Sequence, residues 1–171
     1  ALGADRVQAV MLPSRYTSSI SEKDAAVMAR GLGVRYSMIP IEGMFQATLA
    51  ALAAEFKGLA PDSTEENIQA RCRGMVLMAI SNKTGQMLLT TGNKSETAVG
   101  YATLYGDMAG GYAPIKDCSK TLVWRLARWR NARSPVIPVR TIERPPTAEL
   151  RENQLDSDTL PVSRHLNPGP D

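Results

Sequence analysis

Three short apolar segments, residues 7–12 (Val-Gln-Ala-Val-Met-Leu), 34–39 (Val-Arg-Tyr-Ser-Met-Ile) and 86–90 (Gln-Met-Leu-Leu-Thr), are each separated from the next by a stretch long enough to hold a helix. Connections of that length are too long for hairpins and force crossovers. Right-handed crossovers set the strands parallel and lay the intervening helices over the sheet. The expected fold class is therefore α/β, a doubly wound parallel sheet covered on both faces. The connecting stretches carry helix signals of their own. Ser21-Glu-Lys-Asp24 offers a cap with acidic residues in the first turn, Ala25, Val27, Met28 and Leu32 continue the period, and Gly31 and Gly33 end it. Further helices are predicted over residues 44–56, 64–81 and 119–131, the second with Ser63 or Thr64 as cap and Glu65 and Glu66 at its positive end. Residues 1–5 read as the close of an earlier helix, with Gly3 as its stop.

Ligands in such sheets gather beyond the carboxyl ends of the strands, which directs attention to residues 13–19, 40–43 and 90–96. Composition narrows the chemistry available there. His165 is the only histidine and stands in a Pro/Gly-rich stretch, so Ser-His-Asp, Cys-His and histidine-metal centres lack their central residue. Cys72 and Cys118 are too few for a disulfide scaffold and read as buried thiols in a reducing cytoplasm. No apolar run approaches the roughly 20 residues of a bilayer span. At 171 residues and 43% apolar content the chain suits one domain with a real core. A net charge of +3 permits anionic ligands without the basic coat of a nucleic-acid binder. Carboxylates, lysines, hydroxyls and backbone amides are what remain for chemistry.

Thr90-Thr-Gly-Asn-Lys-Ser-Glu96 lies where the third strand ends and a helix begins, a place suited to a nucleotide and its metal, though polar turns are common there. Tyr105-Gly-Asp107-Met-Ala-Gly-Gly111 adds a flexible loop with one carboxylate. Ser14, Arg15 and Ser18 follow the first strand and fit either a ligand edge or a plain polar loop. By residue type alone, Asn67, Arg73 and Asp107 read as surface groups. Leu122, Leu126 and Trp129 mark the apolar face expected of the helix over 119–131, which makes Arg125 and Arg128 its solvated side and not a nucleic-acid stripe.

Six ordered motifs, Leu12-Pro-Ser-Arg-Tyr-Thr-Ser18, Thr64-Glu-Glu-Asn-Ile-Gln-Ala-Arg-Cys-Arg73, Thr91-Gly-Asn-Lys-Ser-Glu96, Tyr105-Gly-Asp107, Ser119-Lys120 and Glu143-Arg-Pro-Pro-Thr-Ala-Glu-Leu150, resemble the synthetase domain of NAD synthetases, most of all the glutamine-dependent bacterial type. The resemblance runs over residues 1–161, and residues 162–171 read as an unstructured tail unlike the family. It implies an adenine-nucleotide hydrolase-like fold and an ATP-dependent amidation of deamido-NAD, with AMP and pyrophosphate released. Glu96 then resembles the Mg2+ ligand near the ATP phosphates. Thr91 and Ser14 resemble ATP contacts, Lys120 the lysine that reaches phosphate, and Thr147 the hydroxyl of a late loop covering the site. Asn67, Arg71 and Asp107 resemble the deamido-NAD-binding set, the first two sharing a helix face at i and i+4. The resemblance further implies ammonia from solution or from an attached glutaminase domain, and a homodimer. The family's Ser-Gly-Gly-x-Asp-Ser loop is not in these residues. The expectation is thus a sheet incomplete at its N-terminal strand, with a nucleotide-binding piece lacking turnover as the alternative.

Overall fold

The computed structural model describes residues 2–152 and residue 154. After a single 3-10 turn over Ala4–Arg6, where the sequence reads as a helix end, the order is β1 (Gln8–Met11), α1 (Ser19–Leu32), β2 (Arg35–Met38), α2 (Glu42–Ala51) and α3 (Ser63–Thr84). Then come α4 (Lys94–Ala98), α5 (Lys120–Arg133) and α6 (Val139–Glu143). β1 and β2 pair parallel, Gln8 opposite Arg35 through Met11 opposite Met38, with α1 as the crossover. Alternation along β1 divides its side chains between two faces. Val10 and Leu12 join Ile39, Ile41, Phe45, Ile68 and Cys72 in the core under α2 and α3. α1 packs against both strands, and Ala9 and Met11 line a pocket together with its Ala25, Met28, Ala29 and Leu32. The doubly wound α/β arrangement is therefore present, with the carboxyl end of β1 leading directly into residues 12–18.

Helix ends follow local chemistry more closely than sequence periodicity placed them. Ser18, not Ser21, caps α1 by accepting the Ser21 N–H, and Gly33 closes the helix at φ 68°, in the left-handed region. Asp62, not Ser63 or Thr64, caps α3, where Glu65 returns the bond to the Asp62 N–H in a full capping box. The expected third strand over 86–90 is a single parallel bridge between Leu89 and Tyr112. Its partner is the short Gly-rich turn at 110–112, which cannot extend a ladder. The face of α5 is also corrected: Leu126 and Trp129 are 45% and 55% exposed, and Arg133 stacks its guanidinium on the Trp129 ring at 3.6 Å. The helix is instead turned so that Lys120 is buried and Asn131 is held by the 136–137 backbone. The residue-161 boundary and the tail over 162–171, with His165, lie outside the described residues.

Asp24 of α1 is buried and binds Arg140 and Thr141 of α6, which ties the late helix to the sheet layer. The Arg140 guanidinium holds its carboxyl below the usual carboxylate range, against the opposing effect of burial. A depressed folded value contributes stability above the unfolded pKa of about 3.9 that is lost as pH falls through the folded one. Asp24→Asn should flatten that acid-side loss, read from melting temperatures between about pH 2.5 and 6. Parallel curves for the two proteins would remove Asp24 from the account.

Candidate functional site

Residues 88–90 end in the turn that Asn93 closes as the N-cap of α4. Asn93 is buried, its side chain accepts the Glu96 N–H at 3.1 Å, and the Glu96 Oε2 accepts the Asn93 N–H at 3.0 Å. One carboxylate oxygen is thereby committed to the cap. The other, Oε1, stands 3.8 Å from the Nζ of Lys120, the first residue of α5. Ser119 caps α5, and two backbone contacts join the starts of the two helices: Lys120 N–H to Ser95 Oγ at 3.1 Å, and Lys94 N–H to the Cys118 carbonyl at 2.9 Å. Lys120 is only 8% exposed, so it is not a solvated lysine of the first turn. A cation at a positive helix end is unfavourable by itself, and its neighbour Glu96 offsets that cost.

A second cluster forms where α3 meets the loop over 103–107. Asn67 Oδ1 accepts the Thr103 hydroxyl at 2.7 Å, and Asp107 Oδ1 accepts the Thr103 N–H at 2.6 Å. Arg71, one turn beyond Asn67, donates from Nε to the Leu104 carbonyl at 3.3 Å. The shared helix face predicted for Asn67 and Arg71 is therefore real, and both residues grip one loop. The loop can approach this closely because Gly74 has no Cβ; one built there would lie 2.7 Å from the Tyr105 carbonyl oxygen and 3.0 Å from that of Gly106. Tyr105 turns through φ 62°, an uncommon conformation for a residue with a side chain.

The same helix reaches the carboxyl end of β1. Arg73 donates from Nε to the Leu12 carbonyl at 2.9 Å and from Nη2 to Ser14 Oγ at 3.4 Å. Gln69, completely buried, donates to the Leu150 carbonyl at 2.8 Å, and Glu66 receives Arg151 and Gln154. Glu149, at φ 53°, accepts from the Ser18 N–H, the Ser21 hydroxyl and Arg144, so the segment holding Thr147 is strapped between α1 and α3. The Thr147 hydroxyl accepts the Glu149 N–H. Thr91 lies exposed in the turn before Asn93.

The structure thus brings Glu96 to Lys120, Asn67 and Arg71 to the loop bearing Asp107, and Ser14 to α3. Asn67 and Arg73 are half-buried, contrary to the surface reading, whereas Asp107 is exposed. Thr103, Ser95, Gln69 and Glu149 are contacts that residue type alone does not mark. Among the described residues no three His, Cys, Asp or Glu side chains gather as a metal cage.

The NAD synthase family model matches residues 1–166. The chain belongs to the NAD synthase family. Its fold is the family's adenine-nucleotide hydrolase-like α/β fold. It is similar to the glutamine-dependent NAD(+) synthetase of Rhodobacter capsulatus, 61% identical over 170 residues, and to that of Xylella fastidiosa strain 9a5c, 60% identical over 163 residues. Each match covers 94% of this chain, which spans 31% and 30% of the respective relatives. Among solved structures, the glutamine-dependent NAD+ synthetase of Acinetobacter baumannii in complex with adenosine diphosphate superposes with a TM-score of 0.83 at 51% identity, covering 87% of this chain and 29% of that one. No helix among the described residues is long and apolar enough to cross a membrane.

Proposed function

We propose that this protein carries the ligase step of NAD synthesis: a carboxylate oxygen of deamido-NAD attacks the α-phosphorus of ATP, pyrophosphate leaves, and ammonia then displaces AMP from the acyl adenylate to give NAD. The observation that carries this reading is the Lys120–Glu96 pair, a buried ammonium beside a partly buried carboxylate at the meeting of two helix starts. Lys120 is placed to offset the charge on departing pyrophosphate, a role in which a preorganised donor shielded from water is most effective. Mg2+ is usually held by one or two carboxylates plus substrate phosphates, and Glu96 with its Oε1 turned from the cap fits that donor set. A Mg2+ ion bound there would supply charge neutralisation at the phosphates. Asn67, Arg71 and Asp107 hold the dinucleotide, while Ser14, Thr91 and Thr147 belong to the ATP side. Ammonia comes from solution or from glutamine, through a glutaminase domain like that implied by the relatives' names. A homodimer in the cytoplasm completes the reading.

The test is product stoichiometry from the protein expressed from its complete coding sequence, supplied with ATP, Mg2+, deamido-NAD and ammonia or glutamine. One AMP and one pyrophosphate per NAD are expected, and ADP with phosphate instead would overturn the adenylate route. Arg71→Ala should raise the KM for deamido-NAD several-fold and leave that for ATP little changed, since removal of uniform binding to one substrate appears in its KM. Equal shifts for both substrates would count against the assignment.

A further inference from the structure

Arg73 is a half-buried cation with no ion-pair partner among the described residues. The ion pairs among the described residues join Arg15 to Glu42, Lys120 to Glu96, Arg140 to Asp24, Arg144 to Glu149 and Arg151 to Glu66, and none includes Arg73. Its two hydrogen-bond acceptors, the Leu12 carbonyl and the Ser14 hydroxyl, are both neutral. Glu149 is the carboxylate whose field reaches it, but that group is already held by the Ser18 N–H, the Ser21 hydroxyl and Arg144. Burial pulls the Arg73 pKa below the ordinary arginine value. A guanidinium has five N–H donors, so most of the fork is unused by the protein. A half-buried charge met only by neutral acceptors is costly, and an anionic oxygen would offset that cost. Arg73 stands at the carboxyl end of β1, the edge of a parallel sheet at which ligands collect.

We propose that Arg73 binds a phosphate of the substrate, its fork completed by an anionic oxygen at the end of β1, while its contacts to Leu12 and Ser14 aim it there. The inference rests on the reading given under Proposed function, and two bound molecules of that reaction carry the required chemistry: the triphosphate of ATP and the pyrophosphate bridge of deamido-NAD. Guanidinium recognises phosphate through paired, charge-assisted donors, so both charge and fork matter.

The test measures equilibrium binding of ATP, adenosine, deamido-NAD and nicotinic acid riboside to the protein expressed from its complete coding sequence, as wild type and as Arg73→Met, Arg73→Gln and Arg73→Lys. Arg73→Met should weaken one phosphate-bearing ligand by about tenfold or more, the scale of one charge-assisted contact, and leave its phosphate-free counterpart within a factor of about three. Loss confined to ATP assigns the triphosphate, and loss confined to deamido-NAD assigns the bridge. Arg73→Gln, which keeps an N–H for the Leu12 carbonyl while removing the charge and the outer fork, should repeat the loss even where Arg73→Met disturbs folding. Arg73→Lys should recover part of it. Equal weakening of ATP and adenosine would make Arg73 a brace for the loop after β1 and overturn the proposal, as would unchanged binding of both phosphate ligands. Failure of the wild type to bind either phosphate ligand would instead remove the parent reading.

Discussion

Lys120→Met should lower kcat by about 10²–10³-fold, the usual consequence of removing one preorganised group that stabilises charge in the transition state. The side chain is almost completely buried and its ammonium lies 3.8 Å from Glu96. Methionine fills nearly the same volume, so the change is chiefly electrostatic. The KM for ATP should rise less than kcat falls, because charge builds on the leaving pyrophosphate as the α-phosphorus transfers. ATP–pyrophosphate exchange dependent on deamido-NAD should fall in parallel, which locates the loss in adenylation. Lys120→Arg should not restore activity, since the planar fork is larger and the site is closed by α4 and α5. A Lys120→Met enzyme that turns over within about threefold of wild type, with an unchanged melting temperature, would show that the Lys120–Glu96 pair is a brace between helices and not part of the phosphate site.

By residue type, Lys120 at a capped helix start reads either as a solvated cation, unfavourable at a positive helix end, or as a ligand contact, which that cost modestly favours. Its burial depends on Ser95 and Glu96 arriving from another helix, a long-range contact that no local pattern encodes. The parallel strands, the crossover and the core were legible because they rest on periodicity: Val10, Leu12, Ile39 and Phe45 all fall where alternation or helical spacing places them. The capping box of α3 was present in the sequence as Asp62-Ser-Thr-Glu65, but three adjacent cap-forming residues compete there, and only geometry decides that Asp62 serves. The stripe Leu122, Leu126, Trp129 misled for a related reason. Periodicity identifies an apolar face, whereas the contacts of Lys120 and Asn131 fix which way α5 turns. The third strand failed because strand propensity in residues 86–90 needs a neighbour, and among the described residues the neighbour is a glycine-rich turn. Residues 105–111 were recognisable as a loop with a carboxylate, yet Thr103, which lies before it and links Asn67 to Asp107, has no signature of its own.

The second large effect is expected at a buried glycine with no side chain to offer a ligand. Gly74→Ala places a methyl 2.7 Å from the Tyr105 carbonyl oxygen and 3.0 Å from that of Gly106, both backbone atoms that cannot rotate away. The loop must then lift from α3, or the helix must shift beneath the core residues Ile68 and Cys72. The loop is the cheaper to move. Its displacement pulls Thr103 from Asn67 and the Leu104 carbonyl from Arg71, so Asn67, Arg71 and Asp107, the residues proposed to hold the dinucleotide, lose register together. A misplacement of about 1 Å at a distance from the chemistry can cost about 10²-fold, and kcat/KM for deamido-NAD should fall by that order. The overpacking itself should destabilise the protein by about 1–3 kcal/mol. Gly43→Ala is the matched control, a helical glycine of α2 with nothing within 4 Å of a built Cβ. It should leave activity unchanged and raise stability slightly, by about 0.4–1 kcal/mol, through the less flexible unfolded chain. Kinetics and melting curves for the two alanine variants decide the matter. If Gly74→Ala lowers stability but spares the KM for deamido-NAD, the loop over 103–107 is not the support of the dinucleotide site, and Asn67 and Arg71 lose the positional argument for their role.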